Sequence, residues 1–488
     1  MAIKRYVANA DNTISNAFKE NLTTRATGSN MGQADVSEVF SIYARASTSS
    51  AEISRVLTKF DIGSISVDRT AGVIPAQGDV NFYLRLYNAE TTRTVPKNFK
   101  LVVSAVSRSW SEGDGLDLEN YKDLDSSNWI SASEGVPWTT QGGDYHASPR
   151  FEQSFETGLE DLDLNVTSLV EEWIAGTKTN YGFGVQLTAS QEASSSLNSE
   201  GVEESYYTKR FFARGTQYFF KKPVIEARWN SSTQDDRGDF YYSSSLAPAA
   251  ENLNTIYLYN FVRGRLTNIP GIGTGSIYIS LYSGSTAPID NKLVLHDGNT
   301  NVTGGHVSVG VYSCSVAITA AATPLKKIFD VWHNDGGVQY FTSSFSPVTL
   351  YAQGASTGNN RQIAKIKNLR AKYFSEEEAR FNVYVRNKNW SPTIYTVAST
   401  EIENTIIHSA SYRIYRVLDG LNVIPHGTGS DLHTILSYDV SGNYFNLDMS
   451  LLEPGYEYGI KLAFYDSQRQ SWIEQDQKFL FRVEDYEY

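Results

Sequence analysis

Residues 158–187 read GLEDLDLNVTSLVEEWIAGTKTNYGFGVQL. Leu162, Leu164 and Val166 alternate with Asp161, Asp163 and Asn165, the pattern of a strand with one buried face. Ser168 then opens Ser-x-x-Glu with Glu171, a spacing that predicts a capping box, in which each side chain satisfies a backbone N–H left open by a new helix. Leu169, Val170, Trp173 and Ile174 form an apolar helical stripe, and Gly176 suits a left-handed stop. The run from Tyr181 to Val185 returns to strand. One short helix is therefore expected between two strands, in a chain otherwise patterned as β.

Outward from this stretch, alternation marks further strands at Phe40-Ile42-Ala44, Phe82-Leu84-Leu86 and Leu101-Val103. Residues 111–143, rich in Asp, Gly and Ser, and residues 190–205, rich in Ser and Glu, read as long surface loops. At 488 residues the length suggests about three domains. The expected division is 1–229, 230–352 and 353–488, with polar linkers at 230–239 and 353–360. Regularly spaced strands with Gly and Pro punctuation mark the second domain as a sandwich.

Composition narrows the function classes. Net charge is −12 and no dense Lys/Arg run exists, which opposes nucleic-acid binding. Cys314 is the sole cysteine, so no disulfide within the chain and no cysteine metal site can form; its pattern of neighbours fits a packed core thiol. No window has the apolar length to span a bilayer, and the first residues lack the apolar core of a signal peptide, so maturation in the cytoplasm is expected.

The acidic segment 112–125 is the one metal candidate: Asp114, Asp117, Asp123 and Asp125 could hold a structural Ca²⁺, against the plainer reading of a solvated loop. The seven histidines form no H-x-H or H-x-x-x-H pair, no Gly-x-Ser-x-Gly elbow is present, and nothing separates two carboxylates into acid and base. No catalytic residue and no other cofactor is expected. Arg237-Gly-Asp239 reads as a turn, and the aromatic run 206–220 as strands with one contact face.

Several of these segments, in order, resemble the DNRLRE-type (disaggregatase-related) β-sandwich family. The resemblance runs through 55–62 (RVLTKFDI), 80–87, Trp110 in VSRSWSE, Trp138 in PWTT, the stretch 158–187 and 223–229 (PVIEARW). It covers residues 1–229 and implies a jelly-roll-like sandwich. Residues 452–458 (LEPGYEY) resemble the turn-into-strand of fibronectin type III-like domains, which implies that Tyr458, after Pro454, tucks its hydroxyl onto nearby backbone. The fold expected is all-β, three consecutive β-sandwiches, the last two smaller and Ig- or fibronectin-like.

Residues 1–14 (MAIKRYVANADNTI) and 207–214 (YTKRFFAR) are similar to virion structural proteins of tailed bacteriophages, particularly those of marine phages. That resemblance implies a non-enzymatic, multi-copy particle component, located in the virion, at the head–tail neck by preference or else on the capsid exterior or tail. Its partners would be other virion proteins and copies of itself. The alternatives are an adhesive module binding host-surface glycan and, behind it, a polysaccharide-active enzyme.

Overall fold

The computed structural model describes residues 2–43, 51–196, 198–242, 248, 251–288, 292–318, 325–347, 362–388 and 404–486. The expected linker 353–360 and the expected strand at 349–351 lie outside them. The protein is all-β and built of sandwiches, with two α-helices among the described residues. It divides into two compact units: Ala2–Asn230 with Asp431–His433, and Ser231–Ser430 with Thr434–Tyr488.

In the first unit a four-stranded sheet runs Ile3–Val7, Val224–Arg228, Asn81–Leu86, Leu162–Asn165. A seven-stranded sheet runs Tyr206–Phe212, Val36–Tyr43, Ala51–Lys59, Phe183–Leu187, Phe99–Val106, Tyr145–Phe155, with Ala10–Ser15 also pairing Ala51–Lys59. Asn81–Leu86 shows how sequence makes the layer. Phe82, Leu84 and Leu86 point into the core, while the alternate Tyr83 and Arg85 turn outward. The core fills with Phe99, Phe155, Phe183 and Phe211, and Phe99 stacks on Phe155 with centroids 5.2 Å apart.

Two helices close this sandwich, where one was expected. Helix α1, Ile62–Thr70, begins where residues 55–62 read as continuous strand. The strand stops at Lys59, Phe60 is buried, and Asp61 caps the helix by accepting from the Gly63 N–H at 3.0 Å. Helix α2, Thr167–Ile174, buries Leu169, Val170 and Trp173. Six strands and a hairpin form the second sandwich, in the order Asn254–Tyr259, Val311–Val316, Val302–Ser308, Ile277–Ser283, Ile328–His333, Gln339–Phe345. Val302–Ser308 joins its two faces: Gly304 still pairs with Ile277, whereas Gly305 pairs with Ser313. A Cβ on Gly304 would lie 2.4 Å from the Ser313 carbonyl, so the crossing strand needs glycine there.

The third sandwich sets Gln362–Ile366, Glu378–Asn387, Gly442–Asp448 and Ser437–Asp439 against a sheet of Lys372–Phe374, Phe479–Glu484, Glu457–Asp466, Ala410–Arg416 and Asn422–Ile424. Tyr412 stacks on Phe445 at 4.1 Å in its core. Tyr458 is fully buried and its hydroxyl donates to the Glu453 carbonyl at 2.7 Å, one residue before Pro454. This is the tyrosine corner of fibronectin-like sandwiches.

Candidate functional site

In the 158–187 stretch, Trp173 is 5% exposed and meets Phe183 edge-on at 4.8 Å, and Gly176 takes the left-handed conformation (φ +72°) that ends α2. The capping box does not form. Val166 is the N-cap with no side-chain cap bond, and Ser168 lies inside the first turn. The reason is the end of the preceding strand. Asn165 still pairs with Tyr83, and its side chain accepts from the Thr167 N–H at 3.1 Å, so the helix starts two residues earlier than the box requires. Glu171 is thereby free to face α1, where it takes both ends of Arg69 at 2.6 and 2.7 Å.

Residues 111–143 are not a loose surface loop. Trp110, Trp129 and Trp138 are buried with Ile14, Ile53, Leu57 and Val106 on the seven-stranded sheet, in a second apolar cluster of the first unit. Their ring N–H groups are used structurally: Trp110 donates to the Tyr181 carbonyl at 2.7 Å and Trp138 to the Asn128 carbonyl at 2.8 Å. Residues 190–205, of which all but 197 are described, are also anchored. Glu192 pairs with part-buried Arg55 at 2.9 Å, and the Ala193 N–H donates to the Ser41 hydroxyl at 2.8 Å.

Two of the four calcium candidates, Asp117 and Asp123, are engaged by backbone N–H groups. Asp117 accepts from the N–H groups of Glu119, Asn120 and Tyr121, which hold its carboxyl below the usual carboxylate range. Asp123 accepts from Asp114 and Asp125; burial pushes its carboxyl up, but these N–H groups more than offset that and it too titrates low. Among the described residues no three His, Cys, Asp or Glu side chains converge on a point that could hold a metal ion.

Beside this cluster an open groove of about 550 Å³ is lined by Ser107, Arg108, Ser109, Trp110, Ser133 and Tyr181. The Arg108 guanidinium is satisfied by the Pro137 carbonyl at 2.7 Å, the Thr139 hydroxyl at 3.0 Å and Asp144 at 3.0 Å. The groove therefore offers hydroxyls and ring edges rather than a free charge.

One arrangement invisible in sequence has the order of a hydrolase relay. Ser411 Oγ lies 2.9 Å from His426 Nδ1, and His426 Nε2 lies 3.7 Å from Glu474. Ser411 is fully buried and also bonds the Thr434 hydroxyl at 2.7 Å, so a substrate carbonyl has no approach to it. Burial pushes the His426 imidazole down and keeps it neutral. Cys314 is likewise a core thiol, pushed up to about 12 by burial and then by Asp297.

The expected linker 230–239 is held on both sides within the second unit. Thr233 and Gln234 pair with Ser437–Asp439. Buried Asp236 accepts from the Thr255 N–H at 2.6 Å and the Tyr438 hydroxyl at 2.7 Å. Arg237 binds Asp330 at 2.6 Å and Asp235 at 3.1 Å, while Asp239 meets His408 at 2.8 Å. Arg237-Gly-Asp239 is thus part of a polar clasp joining the second and third sandwiches.

The second sandwich exposes several apolar side chains, alongside Arg263 and Arg265, on one hairpin and its neighbouring turn. Phe261–Val262 and Arg265–Leu266 form a hairpin whose turn places Arg263 and Gly264 at positive φ. Phe261 is 59% exposed, and Val262 and Leu266 are exposed with it. The hairpin base is bonded to the next turn through Asn260 N–H to the Gly310 carbonyl at 2.8 Å, and that turn presents Val309 at 61% exposure. Gly310 has φ +71°, and a Cβ there would lie 2.5 Å from the Thr267 nitrogen. Arg263-Gly264 is a weaker hairpin signal than Asn-Gly, so the sequence does not announce this turn.

No protein-family model and no curated protein matches the chain. Among solved structures it is similar to the FN1–FN3 domains of chicken CNTN1, at 11% identity and a TM-score of 0.15, over 57% of this chain and 82% of that one. It is also similar to the E. coli alpha-2-macroglobulin, at 8% identity and a TM-score of 0.16, where 88% of this chain spans 21% of the larger protein. Likenesses this distant carry no functional argument. No helix among the described residues is long and apolar enough to cross a membrane.

Proposed function

We propose that this chain works by contact and without catalytic turnover, as a multi-copy structural component of a particle, with a tailed-phage virion the setting its sequence resembles and the head–tail neck the preferred position. The observation that carries this reading is the set of exposed apolar side chains Phe261, Val262 and Leu266 on the hairpin and Val309 on the neighbouring turn, which no described residue covers. The side chains that could do chemistry are meanwhile engaged in holding the fold, as the Asp117, Arg108 and Ser411 contacts illustrate. The test is co-sedimentation of the tagged chain with assembled virions. Phe261→Ser with Leu266→Ser should lower incorporation severalfold while the chain still folds; wild-type chain that stays wholly in the unassembled fraction overturns the proposal.

The groove beside Trp110 supports a second reading, in which the first sandwich binds a glycan through hydroxyls and the Tyr181 ring. A glycan array probed with the full chain separates the two, because the contact reading predicts no saturable glycan signal that is lost on Tyr181→Ala.

A further inference from the structure

Gln339–Phe345 is the outermost strand of the second sandwich. It pairs with Ile328–His333 on one side, and no described residue bonds its other edge. Alternate N–H and C=O groups along Phe341–Phe345, up to a bulge at Tyr340, therefore face outward as a template for another strand.

Five other edges among the described residues are blocked. Tyr145–Phe155 carries Pro149, Arg150 and Glu152. Tyr206–Phe212 is covered by bonds from Ala89 N–H to Arg210 and from Phe212 N–H to Tyr87. Asn254–Tyr259 gives its Thr255 N–H to Asp236, and Ser437–Asp439 pairs with Gln234. Gln362–Ile366 carries an exposed Lys365. Gln339–Phe345, by contrast, has neither proline nor charge, and its neighbours extend the uncharged run over residues 336–347, GGVQYFTSSFSP.

We infer that this edge pairs with the same strand of a second copy of the chain, antiparallel about a two-fold axis through Thr342. This inference rests on the proposed self-assembling role and names the surface that carries it. Symmetry chooses the occupant. An isologous pair sets each residue against its mirror position in the same strand, so a charge at Thr342, on the axis, would meet its like at close range. On a chain of net charge −12, this uncharged run lets two copies approach there. The pairing sets Thr342 opposite Thr342 and Phe341 opposite Ser343, so that ring meets a small side chain. Thr342 and Phe341 are exposed in the single chain and free to be covered.

Sedimentation of the full chain over a concentration series tests this. Wild type should associate reversibly. Thr342→Lys and Thr342→Glu, both at an exposed position, should each weaken association by roughly tenfold or more, because like charges then face each other. Mixing the two variants should restore association, since the axis then sets lysine against glutamate. Misfolded variants would not recover on mixing, so failure to recover overturns the pairing. Variants that associate as wild type does also overturn it but leave the assembly role intact. Wild type that stays monomeric at every concentration overturns it too, and co-sedimentation with particles then judges the assembly role separately.

Discussion

Replacing Asp11 by Asn should stabilise the first unit at alkaline pH and not at acid pH. Asp11 is 2% exposed within Ala10–Ser15. Its Oδ2 accepts from the Arg214 N–H at 2.5 Å, and its own N–H donates to Glu112 Oε1 at 2.8 Å. The Arg214 guanidinium turns to Glu112 instead, with contacts of 2.9, 2.9 and 3.0 Å. Burial, and then the nearby Glu112 charge, outweigh the Arg214 amide and push the Asp11 carboxyl up to about 7.

The sign follows from linkage. A carboxyl whose folded value is raised binds its proton more tightly folded than unfolded. Its favourable contribution is full below about pH 4 and is lost as pH rises through about 7. At about 1.4 kcal/mol per pH unit, the rise from an ordinary 3.8 to about 7 sets an upper bound of roughly 4 kcal/mol on that loss. Asn keeps an acceptor for the Arg214 N–H and cannot ionise. At pH 8.5 the Asp11→Asn variant should therefore be about 2–4 kcal/mol more stable than wild type. At about pH 3.5, below the ordinary carboxylate value of 3.8, it should be equal or about 1 kcal/mol less stable, because its NH₂ needs a new partner. With two compact units, bulk unfolding mixes transitions. Hydrogen exchange at Ala51–Lys59, which pairs with Ala10–Ser15, reads the first unit directly. Parallel pH profiles for variant and wild type would refute the argument, as would a wild type that gains on the variant with rising pH.

Three further outcomes follow from the packing. Trp173→Ala should cost about 3–5 kcal/mol by the same exchange measurement, and a cost under about 1 kcal/mol would deny the helix its anchoring role. Glu192→Ala leaves the part-buried Arg55 guanidinium without its carboxylate and should cost about 2–4 kcal/mol; deleting 190–205 should be equally damaging, whereas deleting 195–201, which keeps Glu192, Ala193 and Ser205, should be tolerated. Limited proteolysis should spare residues 230–239 in wild type and cut there in Asp236→Ala, which loses the Thr255 and Tyr438 bonds; wild-type cleavage at that segment would contradict the clasp.

Strict alternation was readable because period two has one structural meaning: Asn81–Leu86 could only bury Phe82, Leu84 and Leu86. The apolar stripe of α2 and the Tyr458 corner were readable for the same reason, since each pattern is local. Helix α1 was hidden by Ile62, Ile65, Val67 and Gly63, residues that favour strand or turn; it forms because Asp61 caps it and Ile62 and Ile65 bury against the sheets. The Ser168–Glu171 box failed because strand pairing at Asn165, a long-range constraint, set the start of α2.

Composition misled in the opposite direction at 111–143 and 230–239. Both are polar, and both hold buried residues, because partners distant in sequence satisfy their polar groups. Asn128 sits under Trp138, and Asp236 meets Tyr438 across 202 positions. No local window contains those partners, so a polar segment with satisfied groups reads the same as a solvated one.

The perturbed ionisations themselves argue about function. Shifted groups cluster at active sites because burial and charge partners tune them for proton transfer. Here Glu226 is nearly fully buried. Burial pushes it up, but Arg5, Arg85 and Arg228 together outweigh burial and hold it well below the carboxylate range. Lys209 is brought down to about 8 by burial, with Asn88 Oδ1 at 2.7 Å and the Gly158 carbonyl at 3.0 Å accepting from it. Asp235 is pushed up to about 6 by burial, against the pull of Arg237. Each of the three is 3% exposed or less, so a substrate has no path to it. A proton-transfer site needs its shifted group and an opening in the same place. In this chain Glu226, Lys209 and Asp235 lie inside the sandwiches and their clasp, while the hairpin at Phe261–Leu266 and the uncharged strand edge lie outside.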